Sequence, residues 1–290
     1  MDVFLQLNTI FISILIEAIP FVLIGVFIAG FIQMFVSEEM VAKVVPKNRF
    51  LAVLYGLFVG ALFPACECGI VPIVRRLLLK GVPLHTAIAF MLTGPVINPV
   101  VMFSTFIAFG NQWSMVFYRG GMALIVALII AVIISYQFKG NQLLKQVNHS
   151  HCSHPAAGTL AQKFVGMLRH AVDEFFSVGK YLIIGAFVAA SMQTFLKTST
   201  LIELGQTETT SSLVMMGLAF VLSLCSEADA FIASSFRGTF SDGALVAFLV
   251  YGPMVDIKNM MMMSGVFNKR FVMYLIGYIT LFVLIGSLLL

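Results

Sequence analysis

Apolar residues run along this chain in blocks of about twenty, separated by short polar stretches. They predict eight hydrophobic helical segments, at roughly 9–36, 50–80, 84–108, 115–136, 176–196, 213–236, 243–264 and 271–290. A helix of about twenty apolar residues spans a bilayer core roughly 30 Å thick. The pattern therefore predicts an all-α polytopic membrane protein. The first run, Ile10 to Phe35, follows no basic leader and is longer than a signal-peptide core, so it reads as a retained span. The segment 50–80 breaks its own pattern: Phe63-Pro64-Ala65-Cys66-Glu67-Cys68-Gly69-Ile70-Val71-Pro72 sets two thiols and a carboxylate between helix-breaking prolines. Broken backbone at membrane depth survives only where protein or a water-filled cavity satisfies the freed groups, and an ionisable side chain there marks a site.

The order of residues also predicts a duplication. Gly25, Gln33 and Phe35 recur as Gly185, Gln193 and Phe195, all 160 positions on. Ala89-Phe90, Gly94-Pro95 and Asn98 recur as Ala247-Phe248, Gly252-Pro253 and Asp256 at a separation of 158, and Cys66 falls opposite Cys225 at 159. The chain thus divides into a first membrane repeat over 1–136, a linker over 137–175 and a second membrane repeat over 176–290.

Loop charges orient the halves. If the segment 50–80 dips into the membrane and returns, then Lys43, Lys47, Arg49, Arg75, Arg76 and Lys80 share the cytoplasmic side with Lys139, Lys145, Lys163, Arg169, Lys269 and Arg270. Only Lys197 and Arg237 then fall in external loops, which is the bias that positive-inside topology demands. The expected fold is an inverted-topology repeat in which each half has three spans and one broken or re-entrant helix, with both termini outside. Each arm of about 14 residues would reach about 21 Å, past the midplane. The competing arrangement is eight full spans in a parallel repeat.

Composition narrows the class without changing it. Sixty per cent of the residues are hydrophobic and ten per cent charged, which leaves no sizeable soluble domain. The net charge of +4 lies mostly in loops and reports orientation. No basic face with interleaved aromatics points to nucleic acid, no P-loop points to ATP, and no enzymatic centre or cofactor is expected. Of four cysteines, three lie in apolar segments, unlike an extracellular disulfide framework.

The candidate chemistry gathers at the breaks. Cys66, Glu67 and Cys68 bring two soft ligands and a hard one to a single turn. At the second break Cys225, Glu227 and Asp229 put two acids two residues apart in an apolar setting, where one would hold its proton, a property suited to proton coupling. After each break a kinked span carries Thr93-Gly94-Pro95-Val96-Ile97-Asn98-Pro99 or Tyr251-Gly252-Pro253-Met254-Val255-Asp256-Ile257-Lys258-Asn259, whose half-helix ends can face a substrate. Asp256 and Lys258 would not face one another on a regular helix. Pairing of either one with Glu227 or Asp229 is expected, or else a Lys258 that snorkels to the cytoplasmic edge. The proposed lining is Cys66, Glu67, Cys68, Asn98, Cys225, Glu227, Asp229, Asp256 and Asn259.

Other features weigh less. Glu17 before Pro20 is either a third functional carboxylate or an interfacial one. Met260 to Met263 point around a helix and suit packing better than a metal ladder. Gly56 and Gly60 make a small-residue helix contact. In the linker, His149, His151, Cys152 and His154 are dense enough to bind a divalent metal, although their spacing matches no closed zinc site.

Phe63 to Pro72, Gly94 to Pro99 and Cys225 to Asp229 together resemble the predicted permease family that includes the organoarsenical efflux permeases, over essentially the whole chain. The resemblance implies a multi-pass permease of the bacterial plasma membrane in which Cys66, Cys68 and Cys225 hold trivalent arsenic. It also implies a second, smaller membrane subunit, since members of this kind in Gram-positive bacteria commonly form two-component permeases. The His-rich linker falls outside the family motif. The expected function is transport of a small solute, a thiophilic metal or metalloid species or a cation, with proton coupling and a role in metal(loid) or acid tolerance. The alternative is a transmembrane thiol-disulfide electron carrier that exchanges electrons through Cys66 and Cys225.

Overall fold

The computed structural model describes residues 2–64, 66–138, 140, 142–144, 160–195 and 207–290. A long helix α1 (Asp2–Phe35) leads into a short α2 (Glu38–Val44), capped by Ser37, which meets α3 (Arg49–Leu62) at 102°. The first predicted break separates α3 from α4 (Glu67–Leu79). The kinked span that follows is interrupted at Asn98, which separates α5 (Leu84–Ile97) from α6 (Pro99–Ala108), and α7 (Trp113–Gln137) ends the first half. The same order then recurs. A long α8 (Leu160–Phe195) is followed by α9 (Glu208–Leu222) and α10 (Ser226–Ser235), then by α11 (Asp242–Met254) and α12 (Ile257–Val266), and finally by α13 (Lys269–Ser287).

Among the described residues, six stretches are long and apolar enough to cross a membrane: Val3–Phe35, Leu84–Ala108, Trp113–Gln137, Phe164–Phe195, Asp242–Val266 and Lys269–Ser287. The predicted segments 50–80 and 213–236 are each split into two arms, α3 with α4 and α9 with α10. The arms do not pack lengthwise on one another. Instead α3 lies on α5 and α7, while α4 lies on α1, α5 and α12.

Local sequence explains each interruption. Asn98 ends α5 and caps α6, its Oδ1 accepting from Val101 N at 3.0 Å, with Pro99 at the first helical position where the missing N–H costs nothing. Asp256 does the same for α12, accepting from Asn259 N at 2.6 Å. Extended Cys66 and Cys225 precede α4 and α10. The kinked α5 and α11 form the buried centre, where every residue from Thr86 to Val96 and from Gly243 to Met254 is buried.

Close helix contacts rest on glycine. A methyl group on Gly25 would overlap the Gly69 carbonyl, so the bare backbone lets α1 settle onto the first turns of α4. The matching Gly185 seats α8 on α12, where a methyl group would lie 3.0 Å from Lys258 Cα. Gly56 and Gly60 bring α3 against Thr86 and Phe90 of α5, as the sequence suggests. Helix α8 begins well before the apolar run at 176, and its polar first half includes Glu174, which grips Arg75 (2.6 Å) and Arg76 at the end of α4. The start of the linker is tied to the second half, with Leu144 N donating to Val266 O and Asn268 N to Gln142 O, both at 2.9 Å.

Candidate functional site

The four helix starts created by the breaks meet in pairs, α4 with α12 and α6 with α10. Each start exposes unpaired backbone N–H groups and the positive end of a helix dipole, which favours carboxylates in the first turn. That is where the acids stand: Glu67 opens α4, Glu227 and Asp229 lie in the first turn of α10, and Asp256 caps α12.

Glu67, Asp229 and Asp256 are buried, with relative exposures of 1%, 2% and 0%. Glu227 is half-buried and accepts the Cys225 thiol at 2.8 Å. The buried cations are Lys258 and Arg119, at 2% and 0% exposure. Lys258 Nζ lies 3.6 Å from Glu67 Oε1 and 3.5 Å from Asp256 Oδ2. Arg119, on α7, donates to Thr105 Oγ1 at 2.8 Å and to the Ser226 carbonyl at 3.3 Å, and it interacts electrostatically with Asp229 and Glu227. Asp229 faces the Gly-Pro kink of α11, where a methyl group on Gly252 would lie 3.2 Å from its Oδ2.

Of the predicted lining, Glu67 and Asp256 meet at Lys258, and Glu227 meets Cys225. Lys258 pairs with Glu67 and Asp256, not with Glu227 or Asp229, and it does not snorkel. Because Asp256 is a cap and lies off the regular helix, its carboxylate can meet a side chain two residues on. Asn259 donates its amide to Met254 O at 3.2 Å, and Asn98 donates to Gly94 O at 2.9 Å. Cys66, Cys68 and Cys225 are free, buried thiols. Among the described residues no three His, Cys, Asp or Glu side chains converge as a metal-binding group. Glu17 lies exposed on α1, away from the cluster, while Met262 and Met263 are packed inside. His149, His151, Cys152 and His154 lie outside the described residues.

Sequence reasoning passed over Arg119, although a lone cation inside the apolar run of α7 is the signal for it. Glu174 escaped because it lies before the apolar stretch.

The predicted-permease family matches residues 3–290, nearly the entire chain. The chain belongs to that family. It is 72% identical over 286 residues to "UPF0718 protein YcgR" of Bacillus subtilis, covering 99% of this chain and 97% of that protein. It is 47% identical over 284 residues to a Streptococcus mutans protein named "Putative two-component membrane permease complex subunit", covering 98% and 94%. Similarity to "UPF0718 protein YraQ" of Escherichia coli is weaker, 24% over 111 residues, or 38% of this chain and 32% of the other. No solved structure matches. A permease-family chain with six candidate spans is a multi-pass plasma-membrane protein.

Proposed function

We propose that this chain is a secondary permease, or one subunit of a two-component permease, that moves a small solute in exchange for or together with protons or cations. The observation that carries this is a charge imbalance: three buried carboxylates, Glu67, Asp229 and Asp256, face two buried cations, Lys258 and Arg119. Uncompensated charge in low dielectric is expensive. The cluster is neutral only when it holds a proton or a cation, and half-buried Glu227 adds a fourth acid beside it.

Alternating access follows from the way the charges are shared. Glu67 of the first half meets Lys258 of the second, and Arg119 of the first half interacts electrostatically with Asp229 of the second, so in this proposal rocking one half against the other breaks the first contact and alters the second. In this proposal the halves 1–136 and 176–290 are oppositely oriented, as the loop charges favour, and the linker 137–175 is cytoplasmic. The thiols of Cys66, Cys68 and Cys225 suit a thiophilic solute such as a trivalent metalloid species, which would link the protein to metal(loid) tolerance and its proton traffic to acid tolerance. The name of the Streptococcus mutans relative supports a second membrane subunit.

The test is flux into proteoliposomes holding the full chain, with and without a candidate second subunit, across metals and trivalent organoarsenicals under an imposed pH gradient. Glu227→Gln is expected to reduce gradient-driven flux severalfold. Unchanged flux would remove Glu227 from the mechanism, and gradient-independent flux would sink the coupling.

A further inference from the structure

Four buried carboxyl and amide oxygens have no hydrogen-bond partner: Glu67 Oε2, Asp229 Oδ2, Asp256 Oδ2 and Asn259 Oδ1. Buried acceptors are normally satisfied. Three of these belong to the residues that surround the Lys258 ammonium, or to its immediate neighbour on α12. The ammonium itself sits between carboxylates of the two halves, at 3.6 and 3.5 Å. Both distances exceed the roughly 2.7–2.9 Å of a charge-assisted hydrogen bond. Arg119 behaves differently, anchored by hydrogen bonds to an uncharged hydroxyl and a carbonyl.

We propose that Glu67, Asp256 and Asn259 form a binding site for a small monovalent cation, and that the Lys258 ammonium is a tethered occupant which this cation displaces. The inference rests on the permease reading above and names its coupling ion. The donors are hard oxygens, which suit an alkali cation or a small ammonium ion and not a thiophilic metal. One charge arrives for each ammonium that leaves, so the exchange is electroneutral at the site. Lysine suits the role because its charge is a compact point on a flexible stem, whereas a guanidinium fork is held by several bonds at once. Gly185 fixes the base of that stem against α8, leaving the tip to move. Displacement has a mechanical consequence. The Lys258 to Glu67 pair ties α12 of one half to α4 of the other, so the entering cation cuts an ionic link between halves at the moment it binds.

The direct test uses the purified wild-type chain in nanodiscs. Acylation of Lys258 by an amine-reactive reagent, read by mass spectrometry, is expected to rise severalfold and saturably in sodium, potassium or methylammonium chloride over choline chloride at equal ionic strength. No cation dependence overturns the proposal. In a second arm, Lys258→Met keeps the side-chain volume and removes the charge. This variant should bind radioactive sodium roughly tenfold more tightly than wild type, and adding Glu67→Gln should abolish that gain. Equal or weaker binding by Lys258→Met again overturns it. Should that variant fail to fold, the wild-type labelling decides alone. Proton-driven solute flux without cation-dependent labelling removes the cation site and leaves the permease, while cation-dependent labelling without flux of any solute does the reverse.

Discussion

The two broken helices share a backbone and differ in their charges. At a separation of 159, Cys66 and Cys225 stand at the same cap, yet Glu67 corresponds to Ser226, Cys68 to Glu227 and Ile70 to Asp229. Packing preserves the equivalence. The glycine of each Gly-Pro kink faces the same position of the opposing helix, Gly94 meeting Ile70 and Gly252 meeting Asp229. The kinked spans differ likewise, with Asn98 against Asp256 and Val100 against Lys258. The two halves thus present the same order of helix starts with different chemistry on them. Glu67 lies 3.6 Å from the Lys258 ammonium, whereas Asp229 interacts at longer range with an Arg119 held by two hydrogen bonds. In the proposed permease the two would act differently, one letting its charge go and the other holding it.

The largest effect should come from removing the anchor. Arg119→Leu removes a buried cation and its hydrogen bonds to Thr105 and the Ser226 carbonyl, each bond to a charged group being worth about 1.5–3 kcal/mol, and the loss is measurable by thermal unfolding in detergent. The comparison supplies the repair. Asp229→Ile installs the residue that the first half carries there and removes the buried carboxylate left without a nearby cation, so the double variant should regain part of the stability while losing coupled flux. A double variant no more stable than Arg119→Leu would mean that the two positions are not equivalent.

The seating glycines sharpen the contrast further. Gly25→Ala pushes a methyl group into the Gly69 backbone, which has no side chain to rotate away, so a cost toward the upper end of about 1–3 kcal/mol is expected. Gly185→Ala meets Lys258 Cα at 3.0 Å and Met261 Cβ at 3.3 Å, where α12 needs to shift by only tenths of an ångström, so the cost should fall at the lower end of that range or below it. Its effect on transport should be the larger of the two, because it moves the base of Lys258. Equal flux in both variants would count against a special role for that lysine.

How much of this was legible depends on the range of the interaction that decides it. The breaks, the caps at Asn98 and Asp256 and the doubled order of elements follow from Pro, Gly and Asx residues acting on their own neighbours, and the sequence displays them. Arg119 was equally visible, as a lone cation in an apolar helix. The start of α8 was hidden because Lys163, Arg169, Asp173 and Glu174 interrupt the apolar pattern. Those polar residues are helical because the helix is amphipathic there and Glu174 finds two arginines on α4. The partner of Lys258 was not legible at all. It is set by which half-helices approach across the centre, a contact about 190 residues apart in the chain that no local periodicity encodes.

The smallest predicted effect separates the two cysteine caps. The Cys225 thiol donates to Glu227 at 2.8 Å, so Cys225→Ala should cost about 1 kcal/mol and free the Glu227 carboxylate, with Cys225→Ser restoring most of the loss. Among the described residues no carboxylate accepts from the buried Cys66 thiol, so Cys66→Ala should cost less than Cys225→Ala. Chemical unfolding of the three single variants checks the ordering, and flux of a solute without affinity for thiols reports whether Glu227 has lost its restraint. The asymmetry matters for the competing chemistry. A carrier that passes electrons through a Cys66 to Cys225 disulfide needs both thiols equally and no carboxylate beside either of them. Equal losses at the two caps, together with a trapped disulfide that cycles with thioredoxin, would make the half-sites interchangeable and turn the acids from working groups into bystanders.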